Sequence, residues 1–282
     1  MFLARSVTTA ARGFALRGVA HATMALVVLG CGGGMPLLLP ANAMPLGEVR
    51  VTSGVSGNVA ASGFANALGD ARDANANTGG NGSAIDATHA RAILVTAAIG
   101  PGMAPVVSAR VGLGAHAEGG VTFLGRAVRA DLRRSIGLFP HWALSAGIGG
   151  SAVVGGHDVV DAGADLGRLR GGGVDVPVFV GYESDSGLYA AWLGVRGGWD
   201  EVTEDDVRSE TNAALVPGPA LPLSARRVWA GGLVGVAVGF RHVHVAMELD
   251  VAYASVSGDI GATHADLAGL TVCPASAVWW RF

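Results

Sequence analysis

From residue 104 to its end the chain alternates apolar and polar residues with a period of two. Val243, Val245, Met247, Leu249, Val251 and Tyr253 fall on one face; His244, Ala246, Glu248, Asp250 and Ala252 fall on the other. Side chains of a strand point alternately to opposite faces, so this pattern specifies a strand with one greasy and one polar side. The same alternation runs through Tyr189, Leu193, Val195 and Trp199, and through Val174, Val176, Val178, Val180 and Tyr182. The pattern predicts eight strands, near 104–113, 120–134, 141–153, 174–183, 188–201, 226–240, 243–256 and 270–282. Ile93 to Ile99 reads either as a ninth strand or as a lead-in to the first, and an even count favours the lead-in.

Most of these strands exceed the usual five or six residues of soluble sheets, and they suit a tilted crossing of about 9–11 residues. Composition agrees. Half the residues are apolar and only 15% are charged, against roughly 25% charged in soluble domains. That excludes disorder for most of the chain. After the first 45 residues no apolar run reaches the ~18 residues of a helical span, so any crossing is made by strands. Glycine fills 45 of 282 positions without a collagen period, and the net charge of −3 offers no basic patch, so no nucleic-acid partner is expected. Two cysteines build no disulfide framework.

The connections alternate as well. Those at 135–140, 183–187 and 241–242 are short, whereas 154–173, 202–225 and 257–269 are long. Short periplasmic turns and longer extracellular loops are the habit of outer-membrane barrels. With the short turns periplasmic, Phe139, Trp142, Tyr182, Tyr189, Phe240, Trp280 and Phe282 gather at that rim. Phe123, Trp199, Trp229 and Tyr253 gather at the other. Amphipathic rings prefer such interfaces.

The N-terminal region reads as export and tether. Arg5, Arg12 and Arg17 precede an apolar run at 22–30, the order of a secretory signal. Two cleavage readings stand. Val28-Leu29-Gly30-Cys31 resembles a lipobox, which implies residues 1–30 as signal and Cys31 as the lipid attachment. Ala41-Asn42-Ala43 is a small-x-small site, which implies cleavage after 43. Residues 31–90, rich in Gly, Ala, Ser, Asn and Asp, read as a flexible tether, with the barrel at 91–282.

The chain closes on Val278-Trp279-Trp280-Arg281-Phe282. Val278, Trp280 and the terminal Phe282 resemble the signal by which outer-membrane barrels are recognised for assembly. With the export signal and the strand count, the chain resembles the small bacterial outer-membrane barrel class exemplified by the OmpA transmembrane domain and OmpW. The resemblance implies an all-β, eight-stranded antiparallel transmembrane barrel in the outer membrane, with membrane lipid and the barrel assembly machinery as partners.

Inward faces of the predicted strands carry Arg110, Arg129, Asp131, Arg133, Asp175, Arg196, Asp200, Glu248 and Asp250. A small barrel leaves little room beyond its side chains, and unpaired buried charge is costly. These residues are therefore expected to form a salt-bridged plug, with a narrow ion path as the sharper alternative. No catalytic, metal-binding or cofactor-binding set is expected. His242 and His244 lack a third placed ligand, and no spacing among His89, His116, His141, His157 and His264 selects a triad. The glycine patterns at 112–117 and 147–152 neither follow a strand nor open a helix, as phosphate cradling requires. Glu201, Glu204, Asp205, Asp206 and Glu210 read as a solvated acidic loop, and Cys273 as a lone inward thiol.

The expected function is non-enzymatic, a structural or surface-interaction role through the long loops, whose ligand stays open. Two alternatives remain: a narrow pore or transporter for small solutes, and a lipid-anchored lipocalin-like binding barrel.

Overall fold

Twelve strands and two helices follow from this patterning in a computed structural model that describes residues 34–78, 86–155, 158–159, 164–209 and 220–282. Strand β1 is Val49–Ala61, followed by helices α1 (Gly63–Thr78) and α2 (Ala87–Ile99). Then come β2 (Gly102–Gly114), β3 (Ala117–Phe123), β4 (Ala127–Phe139) and β5 (Trp142–Val153). Two-residue strands β6 (Asp158–Val159) and β7 (Ala164–Asp165) lead to β8 (Arg170–Glu183) and β9 (Tyr189–Ser209). The last three are β10 (Leu221–Phe240), β11 (Val243–Ile260) and β12 (Thr263–Arg281).

Ten of these strands, β1 to β5 and β8 to β12, pair antiparallel with their sequence neighbours, and β12 pairs with β1, so the sheet has no edge. The small pair β6–β7 only extends the tip of β9. The wall is thus a closed ten-stranded barrel, which corrects both the eight-stranded expectation and the likeness to the eight-stranded OmpA and OmpW architecture.

Two local misreadings account for the difference. Residues 49–61, expected in a flexible tether, are β1, whose alternation is blurred by Ser53 and Gly57 on its outer face. Residues 120–134, expected as one strand, are a hairpin broken at Leu124-Gly125-Arg126, where Gly125 takes a left-handed φ of 75°. That conformation suits glycine, which has no Cβ to clash. The run Ile93–Ile99 is not a ninth strand but the second half of α2, an inward lead-in to β2 that is buried on all sides. A segment apolar all round has no period by which to tell helix from strand.

The predicted apolar faces point outward. Val107, Leu132, Ile136, Val176, Val195, Val236, Met247 and Leu249 are all exposed, and their polar neighbours turn into the lumen. At the end of the barrel that carries Phe282, which we call the near end, the turns at 115–116, 140–141, 184–188 and 241–242 lie together. Trp142, Tyr182 and Tyr189 stack there edge to face and face to face. The turns at 124–126 and 261–262, the starts of β8 and β10 and the ends of β1, β5 and β9 lie at the far end. There the stretch 257–269, expected as a long loop, is mostly strand, joined by the tight turn at Gly261.

The far rim is uneven. Strands β9, β10, β11 and β12 run 18 to 21 residues, whereas β1 to β5 run 7 to 13. Helix α2 packs against the tall part of the wall, in a cluster with Val202, Leu223, Ala225, Ala254, Val256 and Ile260, and Phe64 and Ala67 of α1 join the same cluster. Both ends of α2 are satisfied. Asp86 accepts hydrogen bonds from the Thr88 and His89 amides, and the α2 carbonyls at Ala97 and Ile99 accept from Arg126 and Asn58. Among the described residues no helix is long and apolar enough to cross a membrane.

Candidate functional site

A strap of residues 34–47 runs inside the barrel toward the near end, in the stretch expected as tether. Leu37, Leu38, Leu39 and Ala41 pack with Phe179, Trp192, Leu233, Ala237 and Trp279 on the inner wall. The strap forms no sheet ladder, so its peptide groups need other partners. Wall side chains supply them. Glu248 accepts from the Leu37 amide at 2.5 Å, the Leu38 amide at 2.9 Å and Trp192 Nε1 at 2.8 Å. Arg133 donates to the Pro40 carbonyl at 2.6 Å and the Asn42 carbonyl at 3.2 Å. Ser135 accepts from the Ala43 amide at 3.0 Å.

Around the strap runs a chain of alternating charge. The Met44 amide donates to Glu118 at 3.0 Å, and Arg110 Nε lies 2.8 Å from the same carboxylate. Arg110 reaches on to Asp131 at 2.9 Å, and Arg129 bridges Asp131 to Asp175. Arg196 closes on Asp175 through Nε at 2.9 Å and donates through Nη1 to the Met35 carbonyl. This ionic chain thus begins and ends on the strap, at Met44 and Met35. Each carboxylate in it is held by two guanidinium groups, which offsets part of the cost of taking the ions out of water.

Glycine makes this possible. A Cβ at Gly149 would stand 2.3 Å from the Arg129 guanidinium, and one at Gly235 would stand 2.2 Å from the Trp192 ring. Large side chains lie flat against bare stretches of wall, so the glycine richness of the chain becomes room for arginine and tryptophan.

Of the nine charged residues singled out in the sequence, the structure joins Arg110, Arg129, Asp131, Asp175 and Arg196 in the one chain. Arg133 is tied to it through Glu118 at 2.9 Å. Asp200 stands apart, accepting from Arg227 at 2.6 Å and Trp229 Nε1 at 2.8 Å. Glu248 serves the strap, and Asp250 lines a cavity of about 60 Å³ with Arg196, Arg227, Asn58 and Cys273. That volume suits roughly two waters.

Sequence reasoning missed Glu118 and Arg50, both fully buried. Glu118 fell before the supposed strand start, and Arg50 fell in the supposed tether. The Arg50 guanidinium has no hydrogen-bond partner among the described residues and lies 5.2 Å from the Trp279 ring centroid, within cation–π reach.

The remaining candidates scatter. His244 is buried with Nε2 2.8 Å from the Gly187 carbonyl, while His242 is exposed in the turn. His89 sits on Asp86 at 2.8 Å, His141 is 3.2 Å from Asp185, and His116 is in the β2–β3 turn. His264 lies between Asp259 and Asp266 at the far tip of the β11–β12 hairpin. Its imidazole is raised above the ordinary histidine pKa, first by the hydrogen bond to Asp259 and then by the Asp266 charge. Glu201, Glu204, Asp205 and Asp206 lie on the extension of β9, not in a loop, and Glu204 is buried. Among the described residues no group of three or more His, Cys, Asp or Glu is placed to hold a metal. Val278 and Trp280 lie on the outer face of β12, with Phe282 exposed beyond them. The predicted signal at 1–30, Cys31, His157 and Glu210 lie outside the described residues.

No protein-family model matches the chain, and no curated protein matches it. Solved structures similar to it include the attachment invasion locus protein Ail of Yersinia pestis, at 10% identity and TM-score 0.27, covering 84% of this chain and 99% of that one. The Ralstonia pickettii toluene transporter TbuX is similar at 10% identity and TM-score 0.36, covering 89% and 97%. The Escherichia coli outer membrane protease OmpT is similar at 9% identity and TM-score 0.27, covering 83% and 96%. The closed wall presents no open sheet edge to lipid, and its outer face is a belt of Val, Leu, Ile and Met between aromatic rims. The chain is a transmembrane β-barrel of the bacterial outer membrane.

Proposed function

We propose that this protein is a non-enzymatic, lumen-sealed outer-membrane barrel whose work is structural or interactive and is done at its far end. The observation that carries this reading is the double filling of the lumen, by the strap below and α2 above, with an ionic chain anchored on the strap at both ends. A solute path would need to break charge-assisted hydrogen bonds in a low-dielectric interior, which costs several kcal/mol for each ion left unpaired. In this reading the near end faces the periplasm, and the tall far rim formed by β9 to β12 faces the outside. An apolar exterior around a charged interior is the inverse of a soluble carrier barrel, which disfavours the lipocalin-like alternative.

The same contacts bear on export. Cleavage after residue 43 would remove the Leu37 and Leu38 amides from Glu248 and the Pro40 and Asn42 carbonyls from Arg133. We therefore favour a mature chain that keeps the strap, as cleavage before Cys31 would give. The N-terminal residue of protein extracted from outer membranes decides between the two sites.

Planar-bilayer recording of the full chain tests the sealed lumen. The expected result is no steady conductance from a protein whose folded band migrates faster than its boiled form in detergent gels. Steady channels that change amplitude with Arg196→Ala overturn the reading in favour of a narrow pore.

A further inference from the structure

One cavity lies outside the filled lumen. It measures about 620 Å³ and opens through the outer face of the wall where the first and last strands meet, beneath α1. Its size falls within the range of small-ligand sites, roughly 300–1,000 Å³.

Its cause is local. The β1–β12 pairing runs from Arg50 opposite Arg281 to Ser56 opposite Ala275, then resumes at Val59 opposite Val272. In the gap, Gly57 faces Pro274. Proline has no N–H for a ladder bond, and glycine contributes no side chain to the outer face. The missing side chain leaves a notch in the belt, rimmed by Val55, Val59, Met103 and Met247, and roofed by Leu68 of α1. Ser56, Asn58, Ala60 and Ala275 complete the lining from the inner side of the wall, where Asn58 donates to the Ile99 carbonyl at 2.7 Å.

Position identifies the occupant. Along β1 the notch lies between Val51, paired with Trp280 of the near girdle, and Ala61, paired with Leu270, itself opposite Tyr253 of the far girdle. By this register the notch lies between the two girdles, level with the apolar belt, and Arg72 of α1 stands among its lining residues. We infer that the notch between β1, β12 and α1 is a binding site for one acyl chain of a bilayer lipid. Methionine at two of its rim positions suits such a ligand, because the thioether chain adapts to irregular apolar shapes. This inference rests on the barrel lying in a bilayer and not on the state of its lumen. A conducting barrel would defeat the sealed reading and leave this site untouched.

Native mass spectrometry tests it. The full chain is reconstituted in vesicles of phosphatidylethanolamine and phosphatidylglycerol, then moved to mild detergent, and retained lipids are counted. One lipid is expected on the wild type. Gly57→Phe fills the notch from the wall, where an added Cβ would meet Pro274 at an ordinary 3.4 Å. Ala65→Phe fills it from α1, and each is expected to lower retention about tenfold. Val234→Phe, on the lipid face of β10, is expected to change nothing. Wild type that retains no lipid, or equal retention in both filled variants, overturns the assignment. A wild type that takes up decane from the detergent phase but keeps no lipid does so as well.

Discussion

The two halves of the lumen are filled by the same chain in opposite ways. Near the terminal end the strap is held through its backbone, with carbonyls and amides spoken for by Arg133, Arg196, Glu118, Ser135 and Glu248. Toward the far end α2 satisfies its own backbone except in its last turn, capped by Arg126 and Asn58, and is held mainly through side chains, with Ala92 to Ile99 buried among aliphatic wall residues. The difference follows from secondary structure. An extended segment must borrow hydrogen bonds from the wall and so demands a polar lumen, whereas a helix brings its own and tolerates a greasy one. The placement of charge along the barrel mirrors which kind of plug each level receives.

The comparison breaks most readily at Glu118, fully buried between Arg110 and Arg133. Glu118→Gln removes the countercharge of Arg133 and one of the two carboxylates that pair with Arg110, and is expected to cost about 3–5 kcal/mol in denaturant unfolding. Hydrogen exchange at Ala43 and Met44 should speed up while residues 92–99 keep their protection. Equal loss at both levels would mean that the two plugs form one cooperative unit. Leu94→Ala attacks the other plug. Leu94 is fully buried in α2, so its truncation is expected to cost roughly 3 kcal/mol and to loosen 92–99 without touching the strap.

Asp86→Ala sharpens the contrast further, since it removes only the α2 N-cap. About 1 kcal/mol of stability should be lost, read as faster exchange at the Thr88 and His89 amides. The smallest effect belongs to the hairpin tip. His264 has a raised pKa in the folded chain, so its contribution is full below the unfolded histidine value and fades as pH rises through the folded one. Protection factors around residues 259–265, with the intrinsic pH dependence of amide exchange divided out, are expected to be higher at pH 5.5 than at pH 8, with those of both plugs unaffected. Asp259→Asn should shrink that difference, leaving the part due to Asp266.

Sequence patterning carried most of the wall and little of what fills it. Wherever strand faces alternate cleanly, as in β11, the outer and inner residues were legible because a buried face must repeat at period two. Strand β1 was readable in principle, since Val49, Val51, Val55 and Val59 share one face, yet Ser53 and Gly57 thin the signal to that of a polar linker. Gly125 inside a predicted strand was the overlooked mark of a turn. For α2, Asp86 and Gly100 at the two ends were recognisable caps, though the apolar run between them was not periodic. The strap left no local trace. Its conformation is set by residues far away in the chain, and no window of sequence contains both a strap amide and its acceptor.

That separation bears on the order of assembly. The strap joins directly onto β1, so the first strand carries it into the nascent barrel as an inward-folded arm. Its hydrogen-bond partners arrive one strand at a time: Glu118 with β3, Ser135 and Arg133 with β4, Arg196 with β9, and finally Glu248 with β11, 210 and 211 residues from the amides it receives. Contacts of such long range reward the chain only after much loop-closure entropy has been spent. The Leu37 and Leu38 amides remain without a protein acceptor until the penultimate strand is laid down. The arm thereby ties its own docking to the completion of the wall, and a barrel that stalls before β11 would hold a loose strap as the mark of an unfinished molecule.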